Sequence, residues 1–290
     1  MQGTQNMTEF SLRRRLKEDK LLCAIGVYDA LTAVITEKAG FECLYMTGYG
    51  VSAGSFAYPD IGLVTMTEMA EAAKRITARI SVPLIADADT GYGNAVNVIR
   101  TIKEYEKAGV RAIQLEDQSW PKRCGHMAGK TVVPIDEMRS KILAAVDSRA
   151  SEDTFIIART DILALEGFDA AIERGSLFAE WGADIIFIEA PEDTEQVKRI
   201  PKEISAPTMI NIAPRTPDLS TSEIEEMGYS LAIYPGICLT AAYTSCIEEL
   251  SKFKETGRQN NLSYWKNNFD EMNDLFGLSG FRELESKYNL

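Results

Sequence analysis

Two aspartates separated by one residue stand in the run ADADTGYG, residues 86–93, directly after a short apolar stretch. Residues i and i+2 of an extended strand share a face, so Asp87 and Asp89 are predicted to point the same way. Two neighbouring carboxylates are unfavourable unless positive charge lies near them. Glu116, at the end of the next apolar run, and Asp60, in the loop AYPDIG, extend the set. An all-oxygen set predicts a hard cation, Mg²⁺ with Mn²⁺ as the alternative, although any one of these acids alone could equally cap a helix or form an ion pair.

The segment EDQSWPKRCGHMAGK, residues 116–130, combines a thiol with the single histidine of the chain. Cys124 and His126 lie two positions apart, and three basic residues flank them: Lys122, Arg123 and Lys130. Nearby positive charge is expected to lower the pKa of the thiol and to give it thiolate character. Such a group could act as a nucleophile or carry a proton to carbon. A zinc site is disfavoured because two further ligands are not found in the sequence, and an inert buried cysteine is disfavoured by the basic flanks.

Eight short, continuous apolar runs alternate with amphipathic helical patterns along most of the chain. Continuous runs of this kind are typical of strands that are covered on both faces, as in parallel sheets. Alternating strands and helices leave two architectures, a closed barrel and an open, doubly wound sheet. The runs cover residues 21–29, 42–48, 82–89, 112–118, 155–160, 184–190, 206–212 and 230–236.

Polar residues at the ends of these runs favour the barrel. No G-x-G-x-x-G motif follows the first run, which removes the usual phosphate-binding signature of the open sheet. In barrels the active site is built at the C-terminal ends of the strands. The polar residues found there are Asp29, Thr47, Asp87, Asp89, Glu116, Asp117, Arg159, Glu189 and Asn211. We therefore predict an α/β protein, a (β/α)₈ TIM barrel with these side chains around its mouth.

A further helix, predicted at 237–257, and a tail of residues 258–290 follow the eighth run. We predict a catalytic barrel domain over residues 1–257. The tail carries aromatic and leucine anchors but is too short to form a domain of its own. It is therefore predicted to be a helical extension that docks on the barrel or on a neighbouring subunit.

The composition of the chain limits its partners. The 290 residues carry a formal net charge of −12. Nucleic acids and anionic membranes need clustered Lys and Arg, so neither is an expected partner, and an anionic substrate would need local cations or a metal ion. The five cysteines form no paired spacing, and the sequence has neither a signal-peptide pattern nor an apolar stretch of membrane length. These features predict a cytoplasmic protein.

The motifs of the chain resemble those of the isocitrate lyase / phosphoenolpyruvate mutase superfamily over nearly its whole length. They are YMTGYGVSAGSFAYPDIG (45–62), ADADTGYGN (86–94), the loop 116–130, IIARTDILALEGFDAAIERG (156–175) and FRELESKYNL (281–290). The KRCGH sequence within the loop is similar to the lyase branch, nearest to the 2,3-dimethylmalate, petal-death-type and 2-methylisocitrate lyases. The resemblance implies a homotetramer in which the eighth helix of the barrel is swapped between two subunits.

The resemblance also implies roles for individual residues. Asp89 would contact Mg²⁺ directly, and three acids would hold its water ligands: Asp87, Asp60 and Glu116. Tyr45 would be the base for the substrate hydroxyl, and Cys124 would be the acid. The other implied positions bind the substrate or orient the loop: Thr47, Gly48 and Tyr49 through backbone N–H groups, Arg159 and Asn211 at the carboxylates, Gly125 in the loop, and His126 and Glu189 as orienting groups.

The implied reaction is Mg²⁺-dependent cleavage of a carbon–carbon bond in a small 2-hydroxy acid of the 2,3-dimethylmalate or 2-methylisocitrate type, which gives pyruvate and a small carboxylic acid. Oxaloacetate hydrolysis to oxalate and acetate, and carboxyphosphonoenolpyruvate phosphonomutase chemistry, are the alternatives on this scaffold. A non-catalytic binding protein is disfavoured by the complete acidic set. The chain departs from the lyase pattern after Asn211, where Pro214 and Arg215 replace an acidic residue and a glycine-rich turn. Arg215 could contact substrate or face solvent equally well.

Overall fold

The computed structural model describes residues 12–16, 18 and 20–288, so residues 1–11, 17, 19 and 289–290 of the predicted domain ranges lie outside the described part. Within the described residues, eight parallel strands close into a barrel in chain order, with the last strand paired to the first. The strands are β1 Leu22–Val27, β2 Cys43–Met46, β3 Leu84–Asp87, β4 Ala112–Glu116, β5 Phe155–Thr160, β6 Ile185–Ile188, β7 Thr208–Asn211 and β8 Leu231–Tyr234. The predicted (β/α)₈ barrel is confirmed.

Helices follow the strands in the order that the sequence pattern predicts. They are α1 Leu12–Arg15, α2 Ala30–Lys38, α3 Gly48–Phe56, α4 Met66–Thr77, α5 Ala95–Lys107, α6 Ile135–Ser148, α7 Leu163–Glu166, α8 Phe168–Glu180, α9 Thr194–Glu203, α10 Thr221–Met227, α11 Ile237–Thr256, α12 Leu262–Leu275 and α13 Leu278–Tyr288. Asp29, one of the acids at the strand ends, caps α2 by accepting the N–H of Thr32 at 2.8 Å. Helix capping therefore accounts for this acid.

The strands are buried almost completely, because one face of each strand lines the barrel interior and the other contacts helices. Tyr45, Ile85 and Phe187 belong to the interior layer. The strand register pairs Asp87 with Gln114 and Glu116 with Arg159. Because parallel strands end at the same face of the barrel, this register brings the polar residues of β3, β4 and β5 together.

The chain divides into two compact units between Leu239 and Thr240. The first unit contains the barrel. The second contains most of α11, together with α12 and α13, and its large exposed hydrophobic residues include Tyr243, Leu250, Trp265, Phe269 and Phe281. The division falls inside α11, and the boundary expected at residue 257 stays a prediction. None of the helices in the described ranges is both long enough and apolar enough to cross a membrane.

Candidate active site

Four buried carboxylates come from the ends of β3 and β4 and from the loop after α3: Asp87, Asp89, Glu116 and Asp60. Asp87 is the last residue of β3, and its Oδ1 accepts the backbone N–H of Asp89 at 3.0 Å. Asp89 adopts a left-handed backbone conformation, with φ at 48°. Positive φ is uncommon outside glycine, and such strained residues cluster at functional sites. The two aspartates that the sequence predicts to be neighbours are therefore in direct contact.

A buried lysine, Lys122, lies between two of these acids. Its Nζ is 2.5 Å from Oδ1 of Asp60 and 2.7 Å from Oδ1 of Asp89. Burial raises the pKa of Asp89 to about 7; Lys122 acts against this shift, while the carboxylates of Asp87 and Asp60 add to it. Buried acids this close together retain their charges only when cations lie beside them. Lys122 provides part of that positive charge.

The acid set fits a divalent cation that binds largely through water. Within the described chain, Oε1 of Glu116 is buried and accepts no hydrogen bond, and Oδ1 of Asp89 has the Lys122 ammonium as its partner. No three His, Cys, Asp or Glu side chains of the described ranges form a ready-made ligand shell. Mg²⁺ typically binds through one or two carboxylates and keeps several of its waters. The buried Glu116 oxygen without a donor and the hard oxygen ligands match that mode of binding.

The N-terminus of α3 reaches the acid set. A Cβ at Gly48 would lie 2.6 Å from Oδ2 of Asp87, so glycine is needed for this close approach. First-turn N–H groups have no acceptor inside a helix and attract anions, and Gly48 and Tyr49 supply two such groups beside the acid set. The backbone N–H of Thr47, in contrast, donates to the carbonyl of Val27 at 3.2 Å. The predicted use of that N–H for substrate binding is wrong, and the Thr47 side chain caps the helix instead.

Tyr45 is buried inside the barrel, next to the acids. Its hydroxyl donates to Oε1 of Gln114 at 3.1 Å, and Nε2 of Gln114 donates to Oδ1 of Asp87 at 3.4 Å. Burial raises the pKa of Tyr45 well above its ordinary value, and the Asp87 carboxylate adds to that shift. The resemblance implies that Tyr45 acts as a base, and the charges of the protein alone do not favour the phenolate that this role needs.

Arg159, near the end of β5, contacts acids from three parts of the chain. Its Nη1 lies 3.3 Å from Oε2 of Glu116 and 3.0 Å from Oε2 of Glu189. Both oxygens of Asp161 accept hydrogen bonds from it, from Nε at 2.9 Å and from Nη2 at 3.0 Å. A bidentate pair fixes the plane of a guanidinium group. Arg159 is therefore an oriented, buried cation beside the carboxylates, as predicted.

His126, Glu189 and Asn211 form one polar group. Nε2 of His126 lies 3.4 Å from Oε1 of Glu189 and 3.4 Å from Nδ2 of Asn211. Asn211 also donates from Nδ2 to Oε1 of Glu189 at 3.3 Å. Burial opposes the charged form of Glu189, but Arg159 and the contact with His126 lower its pKa below the ordinary value. The structure thus brings together Glu189, which follows β6, Asn211, which ends β7, and His126 of the segment 116–130, which we call the cysteine loop.

The cysteine loop passes directly over Arg159. A Cβ at Gly125 would collide with the guanidinium of Arg159 and would lie 2.7 Å from Oε2 of Glu189. The backbone N–H of Cys124 donates to the carbonyl of Asp60 at 3.0 Å. The loop that carries the thiol therefore packs against Arg159 at Gly125 and is hydrogen-bonded to Asp60 at Cys124.

The thiol of Cys124 is not activated in the way that the sequence suggests. Burial raises its pKa above the ordinary value, although a backbone hydrogen bond from His126 acts against that shift. The predicted lowering is wrong because the flanking cations have other partners. Lys122 contacts Asp60 and Asp89. Lys130 pairs with Asp161, and Arg123 donates a hydrogen bond to the carbonyl of Ala128.

Arg215 lies in the turn that follows β7. The hydroxyl of Thr216 donates to the carbonyl of Asn211 at 2.6 Å and closes this turn. The side chain of Arg215 is exposed, and its contact with substrate stays a prediction.

Four residues of the site are not among the site residues predicted from the sequence: Gln114, Lys122, Lys130 and Asp161. Gln114 is a lone polar residue within the apolar run of β4, and that interruption is a usable signal. Asp161 follows Arg159 by two positions, the same spacing that relates Asp87 to Asp89. The two lysines are visible in the sequence only as basic flanks, because their partners depend on how the loop folds.

A closed barrel that carries buried carboxylates, an oriented arginine and a cysteine loop at its strand ends has the features of a metal-assisted enzyme acting on a small acid. The family model described as phosphoenolpyruvate phosphomutase matches residues 12–254. The chain belongs to this family. Its resemblance to the phosphoenolpyruvate mutase / isocitrate lyase superfamily is confirmed by a solved superfamily member, 2,3-dimethylmalate lyase, with a TM-score of 0.89 and 34% identity over 96% of this chain and 94% of that one.

Known relatives cover nearly the whole chain. It is 47% identical to 2,3-dimethylmalate lyase of Eubacterium barkeri, over 97% of this chain and 98% of the relative. It is 38% identical to 2-methylisocitrate lyase of Aeropyrum pernix, over 95% of this chain and 89% of the relative. Oxaloacetate acetylhydrolase in complex with the inhibitor 3,3-difluorooxalacetate has a TM-score of 0.92 at 33% identity, over 96% of each chain. Phosphonopyruvate hydrolase in complex with oxalate and Mg²⁺ has a TM-score of 0.87 at 30% identity, over 97% of this chain and 98% of the hydrolase.

Proposed function

We propose that this chain is a carbon–carbon lyase. Its substrate is a small 2-hydroxy acid of the 2,3-dimethylmalate or 2-methylisocitrate type, and its products are pyruvate and a small carboxylic acid. The carrying observation is the position of the cysteine loop: Gly125 lies against Arg159 and Glu189, and the backbone N–H of Cys124 donates to the carbonyl of Asp60 at 3.0 Å. The 47% identity to a 2,3-dimethylmalate lyase supports the substrate class.

The proposal includes a divalent cation, Mg²⁺ with Mn²⁺ as the alternative. Asp89 is assigned as its direct ligand, and three acids are assigned to its waters: Asp87, Asp60 and Glu116. When bound, such an ion neutralises the substrate carboxylate and lowers the pKa of the adjacent hydroxyl. The buried oxygen of Glu116 that accepts no hydrogen bond in the described chain supports this assignment, as does the Mg²⁺ complex of phosphonopyruvate hydrolase.

Two side chains are assigned the proton transfers. Burial keeps the Tyr45 hydroxyl protonated in the described chain, so Tyr45 can act as the base only as a phenolate, which the charge of a bound cation would have to stabilise. The phenolate accepts the proton of the substrate hydroxyl, the carbonyl of pyruvate forms, and the electron pair of the breaking C–C bond passes to the carbon of the departing acid. The thiol of Cys124 then gives its proton to that carbon. The raised pKa of Cys124 supports this role, because a general acid must hold its proton at neutral pH.

The remaining residues bind the substrate or position the loop. Arg159 and the N–H groups of Gly48 and Tyr49 bind and stabilise carboxylate charge. The second carboxylate region is assigned to Asn211, with Arg215 at the far end of the pocket. Gly125 contacts the substrate from the loop, and His126 and Glu189 orient the loop, as their mutual contact supports.

Oxaloacetate hydrolysis is the second candidate function. The TM-score of 0.92 to an oxaloacetate acetylhydrolase favours it, since the chain superposes on a hydrolase as well as on a lyase. At this site the carboxylates and the arginine would serve either reaction. Hydrolysis adds water as a nucleophile, whereas the lyase reaction needs a base at the substrate hydroxyl and an acid at carbon. Carboxyphosphonoenolpyruvate phosphonomutase chemistry ranks below both, because the loop has the KRCGH sequence of the lyase branch.

We also propose a cytoplasmic homotetramer in which the C-terminal helices are exchanged between subunits. The many exposed aromatic and leucine side chains of α11, α12 and α13 support it, because a monomer would leave this apolar surface in water. Light scattering coupled to gel filtration tests the assembly. A tetramer is expected, and a monomer at micromolar concentration would contradict it.

Product analysis tests the reaction. The purified protein is incubated with Mg²⁺ and, separately, with the isomers of 2,3-dimethylmalate, 2-methylisocitrate, isocitrate and oxaloacetate, and the products are followed by NMR. Pyruvate from one of the first two acids is expected. Oxalate and acetate from oxaloacetate would instead identify the hydrolase, and no product from any acid would contradict both functions.

A further inference from the structure

Lys130 is a buried lysine at the end of the cysteine loop. Its Nζ donates to Oδ1 of Asp161 at 2.8 Å and also to the carbonyl oxygen of Gly125. Only 3% of its side chain is exposed. The Lys130 ammonium group therefore links Gly125, the residue after Cys124, to Asp161, which follows β5.

Asp161 is a fixed anchor for this lysine. Both of its oxygens hold the guanidinium of Arg159, and its backbone N–H donates to Oδ1 of Asp117 at 3.0 Å. Burial opposes its charged form, but Arg159 and Lys130 lower its pKa to about 2. The carboxylate therefore stays charged across the neutral pH range and orients the arginine and the lysine together.

The loop has other attachments as well, among them the hydrogen bond from the backbone N–H of Cys124 to the carbonyl of Asp60 at 3.0 Å. Gln118 exchanges two hydrogen bonds with the backbone of Arg123, at 2.8 Å and 3.0 Å, and so fixes the beginning of the loop. Lys122 contacts Asp60 and Asp89, which are assigned to the metal site. Lys130 contacts neither of these acids. Its hold on the Gly125 carbonyl is therefore separate from the metal ligands.

We propose that Lys130 is a positioning residue that fastens the cysteine loop to Asp161 and thereby places the Cys124 thiol for proton transfer. The inference rests on the proposed role of Cys124 as the proton donor. Without Lys130, Asp161 keeps Arg159 as its partner, so no buried carboxylate loses all of its counter-charge. The barrel is expected to stay folded while the segment around Gly125 opens.

Cysteine alkylation tests the attachment without any substrate. Lys130→Met is compared with wild type and with Lys141→Met, a control that removes a buried lysine paired with Glu137 on α6. Peptide mass spectrometry follows iodoacetamide modification of Cys124, with the exposed Cys246 as the internal reference. Lys130→Met is expected to react about tenfold faster at Cys124, as loss of one charge-assisted hydrogen bond implies, with Cys246 unchanged. The wild-type rate at Cys124 would overturn the proposal.

Steady-state kinetics separate positioning from a general loss of structure. Lys130→Met is expected to lower kcat about a hundredfold, the effect of a misplaced reacting group, with KM little changed. If Lys130→Met loses its cooperative thermal transition, the alkylation experiment is done with Lys130→Gln instead. Faster modification of Cys124 is again expected, and the wild-type rate would again overturn the proposal. A protein inert toward every acid would contradict the proposed function, whereas the alkylation rates would still decide the role of Lys130.

Discussion

Glu116 and Arg159 are register partners on β4 and β5, and Oε2 of Glu116 lies 3.3 Å from Nη1 of Arg159. This pair joins the acids assigned to the metal with the cation assigned to the substrate carboxylate. Arg159 also contacts Glu189 and Asp161, so one guanidinium contacts three buried carboxylates. The charge balance of the site therefore depends on this residue.

Replacement of Arg159 by methionine is expected to destabilise the fold as well as abolish activity. The substitution leaves buried carboxylates without their cation, which typically costs about 3–5 kcal/mol in the free energy of unfolding. Urea unfolding monitored by circular dichroism measures the loss. Arg199→Met is the control, because Arg199 pairs with Glu203 on the surface and should change stability little. Equal stability of the two variants would contradict the structural role of Arg159.

Replacement of Gly125 by alanine is expected to displace the cysteine loop. The added Cβ would collide with Arg159 and with Glu189, neither of which can move without breaking ion pairs. We expect kcat/KM to fall about a hundredfold with the thermal transition nearly unchanged. Gly280→Ala is the matched control, since a Cβ there meets no atom of the described chain within 4 Å. Wild-type activity in Gly125→Ala would show that the loop does not lie over Arg159.

The pH dependence of Cys124 alkylation reports the state of its thiol. Burial raises the pKa of this thiol above its ordinary value, so the thiol is protonated at neutral pH and loses its proton only in alkaline solution. Since the thiolate is the reacting form, alkylation is expected to be slow at pH 7 and to rise through pH 9 and beyond. Iodoacetamide kinetics in the metal-free protein, followed by peptide mass spectrometry, check this. A rate that is already constant above pH 7 would indicate the activated thiolate suggested by the sequence.

Replacement of Asp89 by asparagine is expected to remove metal binding together with activity. The amide keeps the shape of the side chain but loses the charge of the only acid assigned to direct contact with the ion. Electron paramagnetic resonance of added Mn²⁺ counts the bound ions. Asp29→Asn is the control, because asparagine caps a helix as well as aspartate does. An Asp89→Asn enzyme that still binds Mn²⁺ and turns over would contradict the ligand assignment.

The barrel could be predicted because its signal is repeated along the chain. Each strand is a continuous apolar run, and each is followed by a polar residue or a helix start, so the architecture does not depend on any one residue. The contact between Asp87 and Asp89 was equally predictable, since their spacing is local. The contact between Arg159 and Glu189 could be predicted once the barrel was assumed, because both residues lie at the C-terminal ends of neighbouring strands.

The electrostatics of the cysteine loop could not be predicted in this way. Three basic residues close in sequence suggested an activated thiol, but Lys122 and Lys130 bind carboxylates elsewhere in the site and burial controls the pKa of Cys124. The backbone N–H of Thr47 was assigned to substrate for a similar reason. Its bond to Val27 belongs to the barrel ladder, and sequence alone does not identify the acceptor.

The activity of Cys124→Ser tests the central claim most directly. The variant keeps the size of the side chain and removes the thiol assigned to protonate the departing acid. With Mg²⁺ and the acid that wild type cleaves, NMR is expected to show pyruvate formation reduced by about 10²–10⁴-fold, the contribution of a general acid, while calorimetry shows substrate still bound. Pyruvate formation at the wild-type rate would show that Cys124 is not the proton donor and would contradict the account.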